Sequence, residues 1–248
     1  MTHVQACTVE SAARRNPEWQ INLIFAGPVG AHKLTNSVLA NLVTMRNVKA
    51  SRMLLSRLVT QTSTLEVKEL LQKSRYPVSH ASDIYRYLVL YKYPGVYLDL
   101  DMIVARPFGT LARDFVSRET QSVVASWALG FSNSPVGRRM ARIAKVDIRR
   151  TFSPDVWGSN GPGVATRALT QFCLTKIRKT STRWHTDACQ GLEIYDTRYF
   201  SPRVRYFTEV GEEARVKHRN QHRSGVPFSQ ISSERLQSQS TLGLAALT

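Results

Sequence analysis

The sequence predicts a single α/β domain. Three observations carry that prediction. The chain has 248 residues, which suits one sizeable core better than two. A helical pattern over residues 4–15 leads through Asn16-Pro17 into a buried apolar run, Trp19 to Phe25, then a glycine turn. Residues 79–108 repeat that order: a helix, a hard stop, and an apolar strand that carries two carboxylates.

In chain order, Val4, Cys7, Val9, Ser11 and Ala12 mark the first helix. The turn Ala26-Gly27-Pro28-Val29-Gly30 lacks the Lys-Ser/Thr ending of a phosphate loop and serves as a connection. Residues 34–48 and 52–72 read as helices or helix plus strand. Their apolar stripes (Leu39, Leu42, Val43; Leu54, Leu55, Leu58, Val59; Leu65, Val67, Leu70, Leu71) are core faces. In the next helix Ser79 or Ser82 is the expected cap, which puts Asp83 in the first turn, where the dipole favours an anion. Ile84, Leu88 and Tyr91 share a core face; Asp83, Arg86 and Tyr87 share another. Pro94 biases Tyr93 away from helical dihedrals and ends the helix, and Gly95 allows the turn. Val96 to Val104 then reads as a strand that ends at Arg106-Pro107-Phe108. Residues 121–131 read as a further strand, with Trp127 in the core or, as the alternative, a sugar platform, and Val136 to Ile148 as a basic amphipathic helix. In Trp157-Gly158-Ser159-Asn160-Gly161-Pro162-Gly163, glycines around a proline indicate a close backbone approach. Pro162 opens a helix where its missing N–H costs nothing, and Asn160 offers both ends of an amide to a ligand. Residues 203–248 are polar and poor in large apolar groups, and read as a disordered tail.

The formal charge of +16 suits anionic partners such as phosphates or an acidic membrane surface. Lys and Arg are scattered, and no nucleic-acid-binding signature is present. Three cysteines occur, Cys7, Cys173 and Cys189. None has Cys-x-x-Cys spacing, so no zinc site is indicated. Cys173 and Cys189 are close enough in sequence for an ordinary disulfide, but cysteine usage alone leaves the redox compartment open. No run of about 18 apolar residues exists, and residues 1–20 lack the apolar core of a signal peptide.

The chemistry concentrates at Asp99-Leu100-Asp101. On a strand, residues two apart share a face, so both carboxylates project together, roughly 7 Å apart. At an effective dielectric near 20 they repel by about 2 kcal/mol. A wet site, one protonated Asp, or a cation between them relieves that repulsion. Carboxylate oxygens suit Mn²⁺ or Mg²⁺, whose open positions phosphate oxygens can fill.

The runs Ser82-Asp83-Ile84-Tyr85-Arg86, Tyr93-Pro94-Gly95-Val96-Tyr97-Leu98-Asp99-Leu100-Asp101 and Trp157-Gly158-Ser159-Asn160-Gly161-Pro162 through Thr166-Arg167 resemble the Asp-x-Asp glycosyltransferases. The resemblance is to the lactosylceramide 4-α-galactosyltransferase group and its α-1,4-N-acetylglucosaminyltransferase relatives. Cys7-Thr8-Val9-Glu10-Ser11-Ala12-Ala13 fits the same pattern. The resemblance implies a Rossmann-like GT-A fold with a mixed central sheet, over residues 1–202. It also implies that the family's first strand and C-terminal segment, and an N-terminal membrane anchor, are missing from this chain.

The implied activity is metal-dependent, retaining transfer of galactose or N-acetylglucosamine from a UDP-sugar to a glycolipid or glycan, in α-1,4 linkage, in the Golgi. The alternative is an inactive nucleotide-sugar or glycan-binding remnant. By resemblance, Asp101 ligates Mn²⁺ or Mg²⁺, and Asp99 supports the metal and holds the sugar or ribose. Asp83, Arg86 and Tyr97 line the donor cleft, and Asn160, Gly161 and Pro162 line the active site. The family pattern also favours a Cys173–Cys189 disulfide and an oxidising lumen.

Overall fold

The computed structural model describes residues 1–26, 37–173, 189–200 and 241–247. The turn expected at 26–30 therefore falls largely outside the described residues, as does the expected tail between 203 and 240.

Helix α1 (His3–Arg15) opens with a capping box, in which Thr2 and Gln5 satisfy each other's backbone N–H groups. Its buried face, Ala6, Val9, Ala12 and Ala13, lies against β1 (Gln20–Phe25). The 34–72 region resolves into α2 (Ser37–Val43), β2 (Val48–Arg52), α3 (Leu55–Leu58) and α4 (Gln61–Gln72). Helix α5 (Pro77–Lys92) leads into β3 (Gly95–Leu98). After β4 (Phe115–Ser117) and β5 (Ala128–Phe131) come α6 (Pro135–Thr151), α7 (Pro162–Phe172), β6 (Glu193–Tyr195), α8 (Thr197–Phe200) and β7 (Thr241–Leu247).

The seven strands form one mixed sheet in the order β2-β1-β7-β3-β5-β4-β6. Strands β1 and β2 are parallel, as are β4 and β6; every other neighbouring pair is antiparallel. Two apolar clusters enclose the sheet. One joins α5, α6 and α7 through Ile84, Leu88, Met140, Ala144, Val164 and Leu169. The other joins α1 to β1 and β3. Disulfide Cys173–Cys189 ties the end of α7 to the segment that leads into β6.

Four expectations change. Helix α5 begins earlier than its serines suggest: Pro77 occupies the first turn, Tyr76 is an N-cap with no side-chain bond, and Ser79 and Ser82 lie inside the helix. The Asp-bearing strand stops at Leu98. Strand β5 begins only at Ala128; upstream of it Val124 makes a single bridge to Arg118. Residues 241–247, expected in a disordered tail, form β7 between β1 and β3, where their backbone completes the ladder of both neighbours.

Candidate active site

The short β3 positions the site. Beyond Leu98 the backbone pairs with no strand among the described residues, and other groups take over its polar atoms. Asp99 N–H donates to Trp127 O (2.8 Å), and Met102 N–H turns back to Asp99 O (3.3 Å). Thr8 Oγ1 on α1 donates to Leu100 O (2.8 Å), and Val104 N–H donates to Ser11 Oγ (3.0 Å). Helix α1 thus captures the segment as a turn, with Leu100 buried beneath it. Asp99 and Asp101 flank Leu100 and both open into one cavity of about 710 Å³. They line the same cavity, on a turn rather than along a strand.

Behind the turn lies a buried guanidinium. Arg86 Nη2 pairs with Asp83 Oδ1 at 2.9 Å, one helical turn away, and Nη1 reaches Asp99 Oδ2 at 3.2 Å. Nη1 also donates to Ser126 O (2.6 Å) and Ser126 Oγ (3.0 Å). The guanidinium lies 5.2 Å from the centre of the Tyr97 ring, within cation–π range. Tyr97 Oη donates to the other Asp99 oxygen at 3.1 Å. Both oxygens of Asp99 are therefore held in place. Arg86 is committed to these protein partners rather than extended toward a ligand.

Burial and charge set the protonation states. Desolvation raises Asp83 to about 6; Arg86 opposes the shift and Asp99 adds to it. Burial disfavours the Arg86 cation, but Asp99, Tyr97 and Asp83 outweigh it, and its pKa is raised. Tyr97 is raised by desolvation and then by Asp99, so it remains a neutral donor. Asp101 is raised by desolvation and then by its neighbour Asp99. With all three aspartates ionised, one guanidinium leaves two negative charges uncompensated, which a divalent cation would balance.

Asp83, Arg86, Asp99, Asp101 and Pro162 line the cavity. Tyr97, Asn160 and Gly161 stand behind it. Asn160 is a correction. It is fully buried, and its amide closes a loop: Ser153 N–H donates to Oδ1 (2.9 Å) and Nδ2 donates to Ser153 O (2.7 Å). Both ends of the amide are thereby occupied within the protein. Gly161 acts by lacking a side chain. A Cβ there would meet Asp83 Oδ1 at 2.5 Å and Ser126 Oγ at 2.9 Å. Its carbonyl accepts from Tyr87 Oη at 2.5 Å.

Sequence reasoning missed Ser126 and Glu119, and set Trp127 in the core ahead of a role as a sugar platform; Trp127 packs on the core and also faces the cavity. Ser126 anchors Arg86, and Trp127 and Glu119 line the cavity. The available signal was positional: the strand neighbouring β3 enters the sheet directly after Ser126-Trp127.

The donor set fits one class of metal. Among the described residues no group of three or more His, Cys, Asp or Glu side chains gathers around a point, which argues against a protein-caged zinc. Two carboxylates beside an open cavity suit Mg²⁺ or Mn²⁺, which complete their shell with water and substrate phosphates. A second cavity, of about 300 Å³ between α4, α5 and α6, has apolar walls, and its carboxylate, Glu66, pairs with Arg149.

Residues 2–122 match the family described as "Glycosyltransferase sugar-binding region containing DXD motif". Residues 135–233 match "Alpha 1,4-glycosyltransferase conserved region". Two successive stretches of the chain thus match regions of known glycosyltransferases. The chain is 25% identical over 216 residues to lactosylceramide 4-alpha-galactosyltransferase of Gorilla gorilla gorilla, covering 84% of the chain and 63% of that protein. It is 26% identical over 218 residues to the Rattus norvegicus protein, covering 84% and 58%. Against alpha-1,4-N-acetylglucosaminyltransferase of Homo sapiens it is 25% identical over 177 residues, covering 69% and 51%. The chain thus spans between about half and two thirds of these relatives' lengths. Among solved structures, the PaToxG glycosyltransferase superposes with a TM-score of 0.50 at 23% identity, covering 69% of this chain and 63% of that one. That likeness establishes the glycosyltransferase GT-A-like fold.

Proposed function

We propose that the protein is a metal-dependent, retaining hexosyltransferase. It moves galactose or N-acetylglucosamine from a UDP-sugar to a glycolipid or glycan acceptor in α-1,4 linkage. The observation that carries this reading is the pair Asp99 and Asp101, presented on one turn to a 710 Å³ cavity. The match to an alpha 1,4-glycosyltransferase region and the relatives' names support the choice of donor and linkage.

Asp101 is the more accessible ligand for Mg²⁺ or Mn²⁺. Asp99, clamped by Arg86 and Tyr97, is the fixed one. When bound, the metal supplies the positive charge that makes a nucleoside diphosphate a better leaving group. Arg86 is a positioning residue: it holds Asp99 through the second carboxylate oxygen and is itself aimed by Asp83 and Ser126. The cavity bounded by Ser82, Pro162 and Met102 receives the donor. In the transfer, the bond from the anomeric carbon to the diphosphate oxygen breaks, and a bond to the acceptor hydroxyl oxygen forms on the same face. The hydroxyl proton passes to the departing diphosphate, so no side chain is assigned as base. The Cys173–Cys189 disulfide supports an oxidising compartment such as the Golgi lumen. Among the described residues no helix is long and apolar enough to cross a membrane.

A donor screen tests the reading. With Mn²⁺ or Mg²⁺, slow hydrolysis of UDP-galactose or UDP-N-acetylglucosamine is expected, and a chelator should abolish it. Binding of a UDP-sugar without turnover would instead mark an inactive remnant. Absence of both binding and turnover would refute the assignment.

A further inference from the structure

The wall of the cavity holds aromatic side chains as well as the carboxylate pair. Trp157 lines it with 55% of its surface exposed. An indole so exposed is usually found on pliable chain, but here the backbone is braced. Ser159 N–H donates to Val156 O (3.2 Å), Arg167 Nη2 donates to Ser159 O (3.3 Å), and the Asn160 amide closes the loop onto Ser153. Arg75 N–H donates to Pro154 O (3.0 Å) and ties the same loop to the chain just before α5. The loop holds a large apolar surface open to water, beside a site built for charge.

A second indole lines the same cavity. Trp127 is half-buried, and its Nε1–H is buried without a hydrogen-bond partner among the described residues. Its carbonyl accepts the Asp99 N–H, so the residue is fixed relative to the metal-binding turn. The indole N–H has no accessible surface and so meets no ligand; Trp127 contributes the rest of its surface to the cavity wall. A hexopyranose suits a wall with an exposed indole. Its C–H face packs on the electron-rich face of the ring, and its hydroxyls stay toward water and polar groups.

We infer that Trp157 anchors the acceptor subsite, as the platform for the terminal pyranose of a glycan, with Trp127 part of the same cavity wall. This rests on the transferase reading of the cavity and adds to it the residues that select the acceptor.

The test uses the full chain with lactose as the soluble probe, followed by saturation-transfer NMR in the presence of UDP and Mg²⁺. Lactose affinity is expected to fall by about tenfold or more in Trp157→Ala and to stay within about threefold in Trp157→Phe, as for a lost aromatic anchor. UDP–Mg²⁺ affinity should be unchanged in both variants, which also reports that they are folded. Unchanged lactose binding in Trp157→Ala, or no lactose binding by the parent protein, would overturn the inference. Lactose binding through Trp157 without any UDP–Mg²⁺ binding would refute the donor reading and leave the subsite standing.

Discussion

Asp83 shows how burial decides a residue's role. Its carboxylate is 2.9 Å from Arg86, a contact that alone would lower its pKa. Desolvation is the larger effect, and the group is raised from 3.8 to about 6. The folded state therefore holds the proton more tightly than the unfolded chain. By linkage, the stability this group contributes is fully present below about pH 4 and is lost as pH rises through about 6. The amplitude is about 3 kcal/mol. Denaturant unfolding between pH 4 and 7 should show this downward component in the parent protein and lack it in Asp83→Asn; equal slopes would contradict it. At the same scale, Arg86 was legible as a cation facing Asp83 three residues away, because helical spacing fixes neighbours. That it would hold Asp99 rather than a phosphate was not legible. That depends on Ser126 and Tyr97, which come from other elements. Asn160 was misread for the same reason: sequence shows an amide's capacity, but not that Ser153 uses it.

At the scale of elements, the order helix, stop, strand around Pro94-Gly95 was legible because proline and glycine act through local sterics. The length of β3 was not. Val96 to Val104 has strand propensity throughout, yet α1 takes its backbone beyond Leu98 through Thr8 and Ser11. Tertiary partners decided between strand and turn, and the turn opens both aspartates to one cavity. The entry to α7 depends on a similar close approach. Gly161 lies where a Cβ would come within 2.5 Å of Asp83 Oδ1 and 2.9 Å of Ser126 Oγ, so Gly161→Ala pushes on two partners of Arg86 together. That overpacking is expected to cost about 1–3 kcal/mol, read as a lower denaturation midpoint, and to weaken UDP–Mg²⁺ binding. A variant as stable as the parent would show that the contact can relax freely.

For the whole molecule, the α/β class followed from the alternation of helical and strand periods, and the mixed sheet from the family resemblance. Strand order was not accessible, since pairing partners are distant in sequence. β7 is the clearest case: Thr241-Leu242-Gly243-Leu244-Ala245-Ala246-Leu247 ends a polar stretch, yet it lies between β1 and β3. The carboxylate pair was legible from spacing. The surroundings that make it a site, with Arg86 behind it and two indoles in the wall of the same cavity, belong to the assembled fold.

The central claim is that Asp99 and Asp101 together hold a divalent cation that binds a nucleoside diphosphate. Titration calorimetry of UDP with Mg²⁺, with and without chelator, tests it on the parent protein and on Asp101→Asn. Asp101 is exposed, so the substitution should leave the melting temperature within a few degrees. The account predicts chelator-sensitive UDP binding in the parent protein and its loss in folded Asp101→Asn. UDP affinity unchanged by either the chelator or the substitution would contradict it.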